Sequence, residues 1–101
     1  MIDLISKYND SLNKIVNSEE KDMMKVFVVE ECSELIKAIT KMERSKGYSD
    51  YVKLRSNIIE EMSDVIISIL LYIKENKIDE KELYEEIEIK MKRKIKEITI
   101  E

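Results

Sequence analysis

Residues 58–73, I-I-E-E-M-S-D-V-I-I-S-I-L-L-Y-I, constrain the fold of this chain more than any other stretch. Eleven of these sixteen residues are apolar, yet Glu61 and Asp64 stand near the middle. At about 100° per residue, a helix places Glu61, Asp64 and Ser68 in one narrow sector. Ile67 and Leu71 flank that sector on one side, Val65 and Tyr72 on the other. Ionised carboxylates walled in by apolar side chains need a compensating charge, which a metal ion or a buried cation can supply.

The rest of the chain favours helices. It is 44% hydrophobic and 40% charged, with one Gly and no Pro, which suits two-faced helices and starves a β architecture of turn residues. At 101 residues it forms one domain, residues 1–101. Lys and Glu interrupt every apolar run short of a membrane span, and the early Asp3 argues against a signal peptide. The single Cys32 leaves no internal disulfide and suits a reducing cytoplasm. A net charge of −4 argues against a general nucleic-acid binder, and the absence of His removes His triads, His zinc sites and a His base.

Four helices are expected. Residues 2–16 carry Ile5, Tyr8, Leu12 and Ile15 at helical spacing, a short helix packed on the main bundle. Asn17 and Ser18 offer an N-cap, followed by Glu19 and Glu20 where the helix dipole favours acids. A second helix over about residues 19–43 presents Met24, Val28, Cys32, Leu35, Ile36, Ile39 and Met42. Glu31 and Glu34 lie at the edge of that face with Phe27 and Ala38, where Ala38 leaves open space. Residues 44–50 hold the only Gly and form the principal loop. Ser49 or Asp50 then caps a third helix over residues 51–76. Asp79 and Glu82, spaced like a capping box, open a last helix over about residues 80–97. Its ridge is Leu83, Ile87, Met91 and Ile95, and its basic end is Lys90, Lys92, Arg93, Lys94 and Lys96.

With 22 acids in the chain, roughly five acidic pairs at i, i+3 arise from composition alone, so spacing by itself decides nothing. Placement decides. Glu82 with Glu85 sits on a polar helix and reads as solvated surface, whereas Glu31–Glu34 and Glu61–Asp64 border apolar faces on the two most hydrophobic helices. Packed antiparallel, these helices bring the four carboxylates to one focus. An all-oxygen site selects hard cations such as Mg²⁺ or Mn²⁺ over zinc, and the missing His removes the Glu-x-x-His di-iron reading. Mg²⁺ takes further ligands from phosphates, and the basic end of the last helix offers them a second contact.

The ordered set E30-E31-x-x-E34-L35, a spacer, E60-E61-x-x-D64-V65 and K90-x-x-R93-K94 resembles the MazG-like all-α nucleotide pyrophosphohydrolases over roughly residues 19–96. The resemblance implies an all-α four-helix bundle and Mg²⁺-dependent cleavage of a nucleoside triphosphate between the α- and β-phosphates, giving monophosphate and pyrophosphate. By motif position Glu31, Glu34, Glu61 and Asp64 would be the metal-binding and catalytic residues, with Glu30 and Glu60 as outlying acids. Lys90, Arg93 and Lys94 would contact the triphosphate, helped by Lys37. The resemblance further implies a homodimer or homotetramer, in keeping with a third helix too apolar for one protomer to cover. Ser33 and Ser63 replace small residues, often Gly, of the family pattern, and no N-terminal aromatic signature is present. Phe27, Tyr8, Tyr48, Tyr51 and Tyr72 are the aromatics available to stack on a base. Two other readings stay open: a relative acting on another pyrophosphate-bearing nucleotide such as phosphoribosyl-ATP, and a non-catalytic helical module that oligomerises or binds a partner protein.

Overall fold

The computed structural model describes residues 2–45 and 48–100, with the side chains of Ile2, Tyr48, Ser49 and Ile100 outside the description. Its elements are α1 (Ile2–Lys7), α2 (Asn9–Ser18), α3 (Met24–Arg44), α4 (Tyr48–Glu75) and α5 (Glu80–Ile100), and the described residues contain no strand. The all-α architecture follows from a chain rich in helix formers whose breakers are nearly absent. The short N-terminal helix is two pieces, joined at Tyr8 (φ −108°, ψ 21°). Backbone bonds run through the joint, Tyr8 N–H to Leu4 O at 3.0 Å and Leu12 N–H to Tyr8 O at 2.8 Å.

The antiparallel pair α3–α4 is the principal contact, α2 packs on α4, and α1 packs on α2. The core lies where these meet, in Ile5 and Leu12 of the N-terminal helices, Met24 of α3, and Leu70, Leu71 and Ile73 of α4. Phe27 and Tyr72 pack against this cluster, so two of the aromatics considered for base stacking are core residues. Fully burying one such Leu or Ile contributes about 1.5–3 kcal/mol. The distal half of the hairpin is held more sparingly, by buried Ala38 and Leu54.

Several local expectations are corrected. Asn17 and Ser18 do not cap the second helix. They close α2, with Ser18 Oγ donating to Ile15 O at 2.7 Å. The chain turns through Asp22 in the left-handed region (φ 67°), and α3 starts only at Met24, without Glu19 and Glu20 in its first turn. Its start is secured from afar, because the Met24 N–H donates to Glu75 Oε1 at 3.3 Å, across 51 residues. Lys74 Nζ similarly donates to Asn9 Oδ1, tying the end of α4 to α2.

The bundle-facing side of α3 is rotated toward Glu31 and Ala38. Ile36 (65% exposed) and Ile39 (45%) face outward, and Ala38, expected beside open space, is buried. A small side chain lets two helices approach closely, and that close approach fills the space.

Lys46 and Gly47, in the expected loop, lie outside the described residues, as do the cap expected of Ser49 and the ring of Tyr48. Asp50 is already in the first turn of α4. At the other end, α4 stops in a Schellman motif. Ile78 N–H donates to Ile73 O at 3.1 Å and Lys77 N–H to Lys74 O at 3.4 Å, with Lys77 at φ 51°. Asp79 then caps α5 as expected, its Oδ1 accepting from Lys81 N–H at 2.9 Å. Leu83 packs against the core, and every described residue of α5 beyond it is exposed. A radius of gyration of 16.8 Å, against about 13 Å for a compact domain of this length, fits a helix standing off the bundle.

Candidate metal centre

Glu31 and Glu61 lie equally far in sequence from the middle of the α3–α4 connection. Two antiparallel helices of equal rise therefore set them level, facing each other across the hairpin. Asp64 follows one turn along α4. Oxygens of Glu31, Glu61 and Asp64 all lie within 4.8 Å of one another, the group among the described residues able to hold a metal ion. Glu31 and Glu61 are half-buried and Asp64 is exposed, so the cluster opens to solvent at one edge.

Electrostatics mark this spot as short of positive charge. Partial burial, and then the charges of Asp64, Glu30 and Glu34, push the Glu31 carboxyl upward from its ordinary pKa. Partial burial is likewise the largest cause of the upward shift at Glu61, followed by Asp64, Glu34, Glu31 and Glu60.

The fourth expected carboxylate stands beside the cluster. Glu34 lies near enough to raise both neighbours, but its own oxygen accepts from Lys37 Nζ at 3.5 Å. Both side chains of that pair are more than half exposed, so it holds Glu34 only loosely. Ser68, placed in the acidic sector by helical spacing, is buried, and its hydroxyl donates to Val65 O at 2.7 Å. It faces its own helix rather than the cluster.

The donor set fits a hard divalent cation. Every candidate ligand atom is a carboxylate oxygen, the group contains neither His nor Cys, and an open edge leaves room for water and phosphate oxygens. Calcium is equally content with oxygen, so the donor set narrows the metal class rather than its identity.

The basic residues are distributed differently from the acids. Lys90 pairs with Glu86 at 4.0 Å and Lys92 with Glu88 at 3.5 Å, both along α5. Arg93 and Lys94 are exposed on the same helix, with no ion pair among the described residues. Within the hairpin, a groove of about 640 Å³ opens next to the acids and is lined by Lys41, Lys53, Ser56, Asn57 and Glu60. Lys41 and Lys53 were not singled out in the sequence. The signal for them was their register, Lys41 two turns beyond Glu34 and Lys53 two turns before Glu61.

No helix among the described residues is long and apolar enough to cross a membrane. Comparison with curated proteins and with solved structures gives no match. A family model does match: the MazG nucleotide pyrophosphohydrolase domain, over residues 19–99, a span that runs from the turn before α3 almost to the end of α5. An all-α fold, a hairpin that unites the two acidic motifs and a match over most of the chain lead to one conclusion, that this chain belongs to the MazG nucleotide pyrophosphohydrolase family.

Proposed function

We propose that the protein hydrolyses nucleoside triphosphates between the α- and β-phosphates, releasing the monophosphate and pyrophosphate, with Mg²⁺ as its metal and Mn²⁺ as a substitute. The observation that carries this reading is the convergence of Glu31, Glu61 and Asp64 within 4.8 Å in a chain of this family. These three residues would hold the metal, and Glu34 would join them by giving up its exposed pair with Lys37. When bound, Mg²⁺ supplies positive charge to the phosphate oxygens and makes water a better nucleophile.

The chain's own groups do the rest. The apolar neighbours of Glu31 and Glu61 keep the carboxylates in a fixed, partly dry position, where charge acts more strongly than in bulk water. One carboxylate takes the proton of the attacking water as oxygen adds to the α-phosphorus and the bond to the bridging oxygen of the β-phosphate breaks. Lys90, Arg93 and Lys94 of α5, together with Lys37, are the cations proposed for the triphosphate. Because α5 stands away from the hairpin and leaves Ile87, Met91 and Ile95 exposed, the working form is proposed to be a homodimer or homotetramer that covers this helix. The lone thiol of Cys32 suits a reducing, cytoplasmic setting.

Incubation with a panel of nucleoside and deoxynucleoside triphosphates and Mg²⁺ should yield pyrophosphate, and Asp64→Asn should lower kcat/KM by about 10²–10³-fold. Full activity in Glu61→Gln, or no pyrophosphate from wild type across metals and substrates, would contradict the proposal.

A further inference from the structure

The charge requirement of an oligophosphate extends beyond its metal-bound part. A metal held by Glu31, Glu61 and Asp64 would neutralise the phosphate oxygens nearest to it, and the remaining phosphates would need cations further along. The hairpin groove supplies them. On α3, Lys41 follows Glu34 by two turns on the same face, and on α4 Asn57 and Lys53 precede Glu61 by one and two turns. Two turns rise about 11 Å, a gap that an extended phosphate chain and a long lysine side chain can bridge together.

Two concavities meet at this end of the groove. The larger, about 640 Å³, contains Lys41, Lys53, Ser56, Asn57 and Glu60. The smaller, about 310 Å³, shares Lys41 and Lys53 and adds Arg44 and Asp50. The acids therefore sit one in each concavity, Glu60 beside the metal centre and Asp50 beside Arg44, with the two lysines common to both. No ion pair among the described residues takes up Lys41, Arg44 or Lys53, whereas Lys37, Lys90 and Lys92 each lie against a glutamate of their own helix. Ser56 and the half-buried Asn57 add neutral donors between the lysines and the carboxylates.

We propose that this groove is a phosphate-binding arm, in which Lys41 and Lys53 hold the end of the substrate's oligophosphate chain that lies away from the metal centre. The inference rests on the nucleotide reading above for its substrate class. It adds two residues from the hairpin itself, so part of the phosphate recognition does not depend on where α5 lies. Lys41 and Lys53 act here by binding, and they leave the metal ligands untouched.

The test uses the full chain and inorganic tripolyphosphate in the presence of excess Mg²⁺, followed by calorimetry. Wild type should bind it, and Lys41→Gln with Lys53→Gln should weaken binding at least about ten-fold. The double variant should keep the wild-type rise in Tm with Mg²⁺ and should raise KM for nucleotide more than it lowers kcat. Lys14→Gln with Lys25→Gln removes the same charge from exposed positions away from the groove and should bind tripolyphosphate as wild type does. The inference is overturned if wild type fails to bind, if the groove variant binds normally, or if both variants lose affinity equally. Because binding is read without hydrolysis, loss of binding in the groove variant alone would uphold the arm even if no nucleotide were cleaved. Nucleotide cleavage with unaltered tripolyphosphate binding in that variant would overturn the arm and leave the enzymatic proposal standing.

Discussion

Helices α3 and α5 are each 21 residues long, and each carries an apolar stripe beside charged residues. Helix α3 lies against α4, burying Met24 and Ala38 and turning Glu31 toward Glu61 and Asp64. Helix α5 touches the core at Leu83 and then leaves Ile87, Met91 and Ile95 between 45% and 59% exposed. An apolar stripe states that a helix needs a neighbour and does not say which one. For α3 the neighbour is α4, with which it makes the principal helix contact of the fold, although α5 follows α4 through a connection almost as short. For α5 the Schellman stop at Lys77 and the cap at Asp79 fix where the helix begins but bring no partner alongside.

Substitutions in the α3–α4 core and on the α5 stripe sharpen this contrast. Leu70→Ala, in the core, should lower unfolding free energy by about 2–5 kcal/mol in urea titrations. Met91→Ala, on the exposed stripe, should change protomer stability by less than about 0.5 kcal/mol. Its effect should appear instead as a lower sedimentation-velocity mass at a given concentration, and strengthened to Met91→Asp it should give the 12.0 kDa monomer. Equal destabilisation by the two alanines would mean that α5 packs within its own protomer.

The next largest effect concerns the distant cap. Glu75→Ala leaves the Met24 N–H without its carboxylate and should cost about 1–2 kcal/mol, comparable to losing a good N-cap. Equal stability in the variant would show that water replaces the carboxylate. A smaller effect than that of Glu75→Ala is expected at the close of α4. Lys77 occupies a left-handed position that glycine adopts without steric cost, so Lys77→Gly should raise stability by about 0.5–1 kcal/mol in the same titration.

Much of this was legible in advance because it depends on local periodicity. The absence of Pro, the apolar spacing and the Asp79 cap place the four expected helices to within a few residues, save at the start of α3 and at the break at Tyr8 that divides the first of them. That start depends on Glu75, which no nearby residue announces. The carboxylates were legible for a related reason, since Glu31 and Glu61 are symmetric about the connection and the hairpin makes that symmetry spatial. What periodicity could not resolve was the rotation of α3. Both flanks of its stripe are apolar, and only the packed structure separates buried Ala38 from exposed Ile36. Glu34 was placed with its neighbours by its position at the edge of an apolar face, and the competing pull of Lys37 depends on side-chain geometry.

The pKa shifts provide a check whose sign is fixed. Glu31 and Glu61 have folded-state pKa values raised above the ordinary 4.5, so between the two values the native state binds more protons than the unfolded chain. Metal-free stability should therefore fall as pH rises from 4.5 through the raised values, and the fall should be shallower in Glu61→Gln. Mg²⁺ competes with those protons, so its affinity should rise over the same interval.

The most direct test of a cation site in the hairpin is the Tm of wild type and Glu61→Gln with and without Mg²⁺ at pH 7. Without metal, Glu61→Gln should melt higher than wild type, because it removes a repelled, half-buried charge. With saturating Mg²⁺, wild type should gain several degrees and overtake the variant, which should respond weakly or not at all. A metal-free variant less stable than wild type, with both proteins indifferent to Mg²⁺, would show that these carboxylates are structural charge and not a metal centre.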